Sequence, residues 1–362
     1  MRMRTSAALL VVFALLLAIG GCGGSSPTSP NTGRPSDFFV SPSGSDQNDG
    51  TRAAPWQTIR YAVSQLGPGD TLYLRGGVYS SREDTIDSQT GTVPSGTSWS
   101  KAVTIAGYTG ELAILRPRDG VAGIRLTTGA PQYLIFRDFQ LDMSLQTADI
   151  DALNGFYLSN GAHHIRLLRL DIGYSPGDAI ATSYNNVGPP VASYMEILNN
   201  RIHHAGWATG DSGHGGPGIN NGYGIYMHTT DNVVDGNEFY ENCAYAIVAY
   251  SDRNVFRNNT IHDNGTRGGT NYGIGIGSSA YPLNSTGNVI QNNTIYNNRG
   301  GISIYTNSID TKVQNNSVHN NRPLEGIVIQ FATGTVLSNN NVYANGSDLV
   351  DAGQATVLSR RR

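Results

Sequence analysis

Lysine is almost missing from this 362-residue chain: Lys101 and Lys312 are the only two, although lysine and arginine together number 24 and aspartate and glutamate 27. A formal charge of −3 argues against a nucleic-acid partner, which would want a basic surface. Few lysines and glutamates beside 45 glycines leave little helix potential and point to short strands joined by tight turns. Cysteine is as scarce. Of the two, Cys22 lies in the leader described below, so after processing only Cys243 remains and no intramolecular disulfide is expected; packing or metal must stabilise the fold. Cys243 is expected as a small core residue. The longest apolar run, Ala7–Ile19, falls short of the roughly 20 residues a permanent membrane helix needs. No Asp-Asp pair occurs anywhere, which weighs against hydrolysis by paired carboxylates.

The N-terminus reads as an export signal. Arg2 and Arg4 precede the apolar run, and Gly20-Gly21-Cys22 follows it, an order that resembles the lipobox of bacterial lipoproteins and makes Cys22 the lipidated first residue. An ordinary cleaved signal with an incidental cysteine is the alternative. Residues 23–36, rich in Gly, Ser, Thr and Pro, favour lipidation, because such a polar tether holds a folded domain off a membrane. The expectation is a monomeric, exported domain over residues 37–352, lipid-anchored to the cell envelope at the outer membrane or cell surface.

One unit recurs through the domain: an aliphatic strand, an asparagine corner, an aliphatic residue, then His or Tyr. It is seen in Met195–His203, Val233–Tyr240, Val255–His262, Val289–Tyr296, Val313–His319 and Val336–Tyr343, with weaker copies at 134–141 and 165–172. The steps between Asn200, Asn237, Asn259, Asn293, Asn316 and Asn340 are 37, 22, 34, 23 and 24 residues. The base period is therefore 22 to 24, and the long steps carry insertions, mainly 205–221 and 265–271. A leucine-rich repeat has a similar period, but it wants regularly spaced leucines and a helix, neither of which is present. An all-β, right-handed parallel β-helix of three short strands per coil fits. Coils stacked about 4.8 Å apart turn a repeated asparagine into a ladder of amides, and Asn tolerates the left-handed conformation of a sharp corner. His203, His262 and His319 share their slot with Tyr240, Tyr296 and Tyr343, which marks a stacking position rather than a ligand.

A solenoid end needs a cap. Pro55 suits a first helical turn, and Trp56, Ile59, Val63 and Leu66 put an apolar stripe on a short helix ending at Gly67-Pro68-Gly69. Phe39–Thr51, Pro55–Ile59 and Gly69–Tyr79 together resemble the N-terminal segment of pectate-lyase-like β-helix proteins, especially family 9 polysaccharide lyases. That resemblance, with the later coils, covers most of residues 37–350. It implies a β-helix acting on acidic polysaccharide with a lysine base and an aspartate calcium cluster. The sequence departs from this: Lys101 and Lys312 lie in no recognisable catalytic coil, and no dense run of aspartates occurs.

Alternation along the strands after each Gly or Ala places Ile225 and Met227 inward and Tyr226 and His228 outward. The outward set is Arg125, Tyr157, Ser159, Ser183, Tyr226, His228, Tyr250, Ser303, Tyr305 and Gln330. Aromatic rings and polar groups along one shallow face suit a sugar chain. The insertion before Tyr226 is expected to overhang this face with Trp207, Asp211, His214 and Tyr223, and Asp178 and Arg253 stand beside neighbouring strands within reach of the groove.

β-Elimination at a uronate needs a carboxylate neutraliser, a base at C-5 and a donor to the leaving oxygen. Tyr226 and His228 are the candidate base and acid, with Arg253 or Ca²⁺ as neutraliser. The segment Tyr223–His228 is similar to the Tyr-Gly-Phe-Asp-Pro-His strand of alginate epimerases and their lyase relatives at its tyrosine, glycine and histidine, with Tyr226 in place of the aspartate. Gly213-His214-Gly215 resembles the histidine motif of polygalacturonase-type hydrolases. No other cofactor is demanded. The Asp46-Gln47-Asn48-Asp49-Gly50 loop carries oxygens at calcium-like spacing without the distal Glu of an EF-hand, and Asx-Gly turns also close loops without metal. Lyase or epimerase, and a non-catalytic glycan-binding or adhesion module, are the two readings carried forward.

Overall fold

A computed structural model of the chain describes residues 36–118, 120–146, 153–182, 193–207, 222–265, 270–277 and 284–359. The leader, Cys22 and the tether lie outside them. The described chain winds through three parallel sheets. Sheet A has twelve strands, from Asp37–Val40 to Val357–Ser359, sheet B ten, and sheet C twelve. Each coil contributes one strand of about three residues to each sheet, as in Val233–Asp235, Glu238–Tyr240 and Ile247–Ala249. This is the right-handed parallel β-helix expected from the repeat. In sheet C, Ile225, Ile247, Ile274, Ile302 and Ile327 stand in register, all at most 1% exposed, so they stack into a continuous aliphatic column.

The repeated Asn-Asn pair divides its labour between two adjacent residues. The first of each pair, as in Asn258, Asn292, Asn315 and Asn339, takes φ between 53° and 56° and turns the corner. The second is buried. Asn200, Asn237, Asn259, Asn293, Asn316 and Asn340 form the expected ladder, each amide donating to the next amide oxygen at 2.9 to 3.0 Å. Two more ladders stand at the other corners: Asn242, Asn264, Asn298, Asn321 and Asn345, linked at 2.8 to 3.0 Å, and the shorter Asn232, Asn254 and Asn288. In that last column Thr311 and Thr335 replace asparagine, and neither buried hydroxyl finds a hydrogen-bond partner. A buried hydroxyl without a partner is destabilising. Thr311→Val, which keeps the shape, is therefore expected to raise stability by about 1 kcal/mol, read as a higher urea midpoint.

On sheet B the rings of His203, Tyr240, His262, Tyr296, His319 and Tyr343 stack in sequence, with centroids 4.8 to 5.6 Å apart and planes within 16°. The His/Tyr slot is thus a stacking position. Cys243 is buried, 5% exposed, with its Sγ donating to the Gly206 carbonyl oxygen at 3.3 Å. The N-terminal helix, α1 (Ile59–Ser64), is shorter than expected, with Ile59, Ala62 and Val63 buried. Pro55 lies ahead of it rather than in its first turn. Both Asp46 carboxylate oxygens are engaged there, Oδ1 accepting the N–H groups of Gln57 and Thr58 at 2.8 and 2.9 Å and Oδ2 the Thr58 hydroxyl at 2.8 Å. Those bonds tie the Asp46 loop to the start of α1, where Thr58 is the N-cap.

Candidate functional site

Sheet C carries its chemistry in three outward columns. The strands can approach closely because a small residue precedes each inward isoleucine: a Cβ on Gly301 would stand 2.2 Å from the carbonyl oxygen of Gly326. One column, two residues before the isoleucines, holds Asp178, Tyr223, Tyr245 and Tyr272. The next holds Arg125, Tyr157, Ala181, Tyr226 and Val248 in direct register. The third holds His228, Tyr250 and Tyr305.

Side chains from these columns converge on one aromatic bed. Tyr223 stacks on Tyr226 (5.1 Å, 21°) and lies 6.0 Å from Tyr245, which is 6.0 Å from Tyr272. Tyr226 meets His228 at 4.5 Å and Tyr250 at 5.8 Å, and His228 lies 5.2 Å from Tyr250. The structure therefore brings together Tyr223, Tyr226, His228 and Tyr250, as expected. Tyr245, Tyr272 and Glu325 are additions: the Tyr272 hydroxyl donates to Glu325 Oε2 at 2.7 Å. Their signal was present in Tyr223-Gly224-Ile225, Tyr245-Ala246-Ile247 and Tyr272-Gly273-Ile274, a tyrosine repeated one column over from those considered.

Burial tunes this bed. His228, expected on an open groove, is only 6% exposed, with the rings of Tyr226 and Tyr250 against it. Desolvation lowers its pKa to about 4, so the imidazole is neutral at physiological pH. The same cause pushes the Tyr245 hydroxyl up to about 12. Burial, and then Glu325, hold Tyr272 far above the ordinary phenol range.

Three of the expected substrate or catalytic residues, Asp178, Arg253 and Trp207, have other partners, and a fourth, Tyr305, stands apart from the rest. Asp178 is 8% exposed, and its Oδ1 accepts the N–H groups of Gly222 and Tyr223 at 3.2 and 2.9 Å. It anchors the chain where it returns to sheet C, and so sets Tyr223 in place. Arg253 sits at the corner leaving sheet C with φ 54°. Its Nε and Nη2 bind Asp231, one coil earlier, at 2.7 and 2.8 Å, an ion pair of the corner rather than a groove cation. Trp207 packs on His204 (5.1 Å) and Tyr174 (6.2 Å) at the corner entering sheet C, not over Tyr226. Tyr305 meets Phe331 edge-on at 6.4 Å, some strands away from His228. Asp211 and His214 lie outside the described residues.

Arg125, in the Tyr226 column, is paired with Asp87. Burial works to raise the Asp87 pKa, but the hydrogen bonds from Arg125 and from the Gln89 N–H carry it below the usual carboxylate value. Among the described residues no three His, Cys, Asp or Glu side chains come together as a metal site.

A family model described as the Pel9A-like, right handed beta helix region matches residues 38–341. The chain belongs to this family. Over 79 residues it is 39% identical to pectate lyase PEL9 of Emericella nidulans, a stretch covering 22% of this chain and 18% of that protein. Over 136 residues it is 29% identical to the uncharacterized protein YwoF of Bacillus subtilis, covering 36% of this chain and 27% of that one. Each match spans less than a third of the relative's own length. Among solved structures the chain is similar to XylC in complex with xylose, with a TM-score of 0.55 and 14% identity over 90% of this chain and 70% of that one. It is also similar to the alginate lyase of Paenibacillus sp., with a TM-score of 0.51 and 15% identity over 82% and 96%. A glycoside hydrolase gives 0.54 and 10% over 89% and 97%. What these three share with the Pel9A-like chain at such identities is the fold.

Proposed function

We propose that this Pel9A-like protein acts on an acidic polysaccharide laid along the outward face of sheet C, by β-elimination or epimerisation of uronate residues. The observation that carries the reading is the neutral, desolvated His228 set against Tyr226 within a bed of tyrosines. Both reactions begin with removal of the proton at C-5, beside the uronate carboxyl. A neutral imidazole can accept that proton, and a phenol that keeps its proton can donate one. Elimination follows if the Tyr226 hydroxyl protonates the leaving oxygen at C-4. Epimerisation follows if a proton returns to C-5 from the opposite side. The stacked faces of Tyr223, Tyr226 and Tyr250 give the apolar side of a pyranose ring somewhere to rest. An N-terminal lipid on Cys22, with residues 23–36 as spacer, would place this face at the cell envelope.

The deep burial of His228 favours one other reading, a non-catalytic glycan-binding or adhesion protein, in which the imidazole only supports the rings. The two separate in one experiment. Purified protein is incubated with pectate, alginate and glycosaminoglycans, with and without Ca²⁺, while the ultraviolet absorbance of unsaturated uronate and the release of label from C-5 tritiated polymer are followed. A rise in absorbance is expected with one polymer, or tritium release without it in the case of epimerisation. Tyr226→Phe should slow that signal at least about tenfold with retained polymer binding. Saturable binding with neither signal would remove the catalytic reading and leave the binding one.

A further inference from the structure

Phe331 is unusual in two respects that the fold itself does not repay. It is 66% exposed, and its φ is 57°, a left-handed conformation that a bulky side chain enters only at a cost. It lies in the strand Glu325–Thr333, where the register against Ser347–Gln354 shifts between Gln330 and Thr333. Such a bulge re-aims a side chain. The preceding coils place small polar residues four positions after the inward isoleucine, Thr229, Ser251 and Thr306. Here the chain presents a phenyl ring instead, edge-on to Tyr305 at 6.4 Å and 82°. Left-handed aromatics elsewhere pack on one another, as Tyr133, His164 and Tyr194 do with tilted rings at 4.5 and 4.9 Å. Phe331 remains largely open to solvent.

In the register of sheet C the Phe331 coil is four strands from that of Tyr226, or roughly 19 Å at the spacing of parallel strands. We infer that Phe331 and Tyr305 form a distal sugar-binding subsite for the same polysaccharide, an inference that rests on the reading of sheet C as a glycan face. A pyranose ring resting on Phe331 belongs to a chain running along the solenoid axis. The ligand is then a polymer several residues long, and a short oligosaccharide bound at Tyr226 does not reach the subsite.

The test is affinity electrophoresis of the full chain through gels containing polygalacturonate or alginate, with the matching trisaccharide as competitor. Phe331→Ala is expected to weaken retention by the polymer roughly two- to tenfold while leaving the competing concentration of trisaccharide unaltered. Phe331→Gly, which suits φ 57°, should show the same loss with a thermal midpoint no lower than that of the parent, separating binding from folding. Unchanged polymer retention in both variants, or equal weakening toward the trisaccharide, overturns the subsite while the reading of sheet C stands. A parent protein that no uronan retains overturns both.

Discussion

His228→Gln is expected to lower turnover on the uronan substrate about a hundredfold or more, since a positioned acid–base group contributes that much, with the far-ultraviolet circular dichroism unchanged. Glutamine is the informative replacement, because alanine would leave a cavity under Tyr226 and Tyr250. A second result follows from the environment of the ring. Desolvation holds the imidazole pKa at about 4, so the acidic limb of kcat/KM for the parent is expected near pH 4, against about 6.5 for an unperturbed histidine. A limb near 6.5 would place the titrating group elsewhere.

The same shift makes His228 a source of acid sensitivity. In the unfolded chain the imidazole takes a proton as the pH falls through about 6.5, whereas the folded protein does not bind one until about pH 4. The unfolded state therefore binds more protons across that window, and stability is lost as pH falls. The full contribution is present above about 6.5 and absent below 4, and amounts to about 3 kcal/mol. His163, His164 and His204, also lowered chiefly by burial, act in the same direction and remain in the variant. Urea midpoints at pH 7 and pH 4 are expected to fall further apart for the parent than for His228→Gln. Equal separations would show that His228 is not desolvated in the folded state.

Properties set by one coil and its copies were legible in the sequence. The inward isoleucines, the buried asparagines and the His/Tyr stack each recur at the repeat period, so a stacking rule applied to one coil holds for the next. The depth of His228 was not legible, because it depends on two tyrosine rings leaning across it, one from its own coil and one from the next. Arg253 was read as a groove cation from its nearness to a strand. Its partner, Asp231, is 22 residues earlier and adjacent only once the coils are stacked. Asp178 was read as reaching the groove from its place ahead of a strand, whereas its carboxylate accepts the backbone N–H groups of Gly222 and Tyr223. Alternation along a strand sorts inward from outward positions, and does not tell which outward group is already engaged by the neighbouring coil.

Two adjacent, identical residues offer the sharpest test of how the coils are held together. Asn259 is buried; its Nδ2 donates to Val234 O and Asn293 Oδ1 at 3.0 Å, and its Oδ1 accepts the Asn237 N–H at 2.9 Å and Nδ2 at 3.0 Å. Asn259→Ala leaves the Asn237 N–H and the Val234 carbonyl without these partners in the interior. Each such orphan costs about 1 to 3 kcal/mol, so a loss of about 4 kcal/mol is expected. Asn258 is exposed at φ 55°, and its main use to the fold is to occupy the left-handed region, which glycine does without strain. Asn258→Gly is therefore expected to cost less than about 1 kcal/mol, including its hydrogen bond to Asp235. Denaturation of the two variants side by side compares a buried amide that links coils with an exposed one that turns a corner. Equal losses would mean that the buried ladder amide contributes no more to stability than the exposed corner residue beside it.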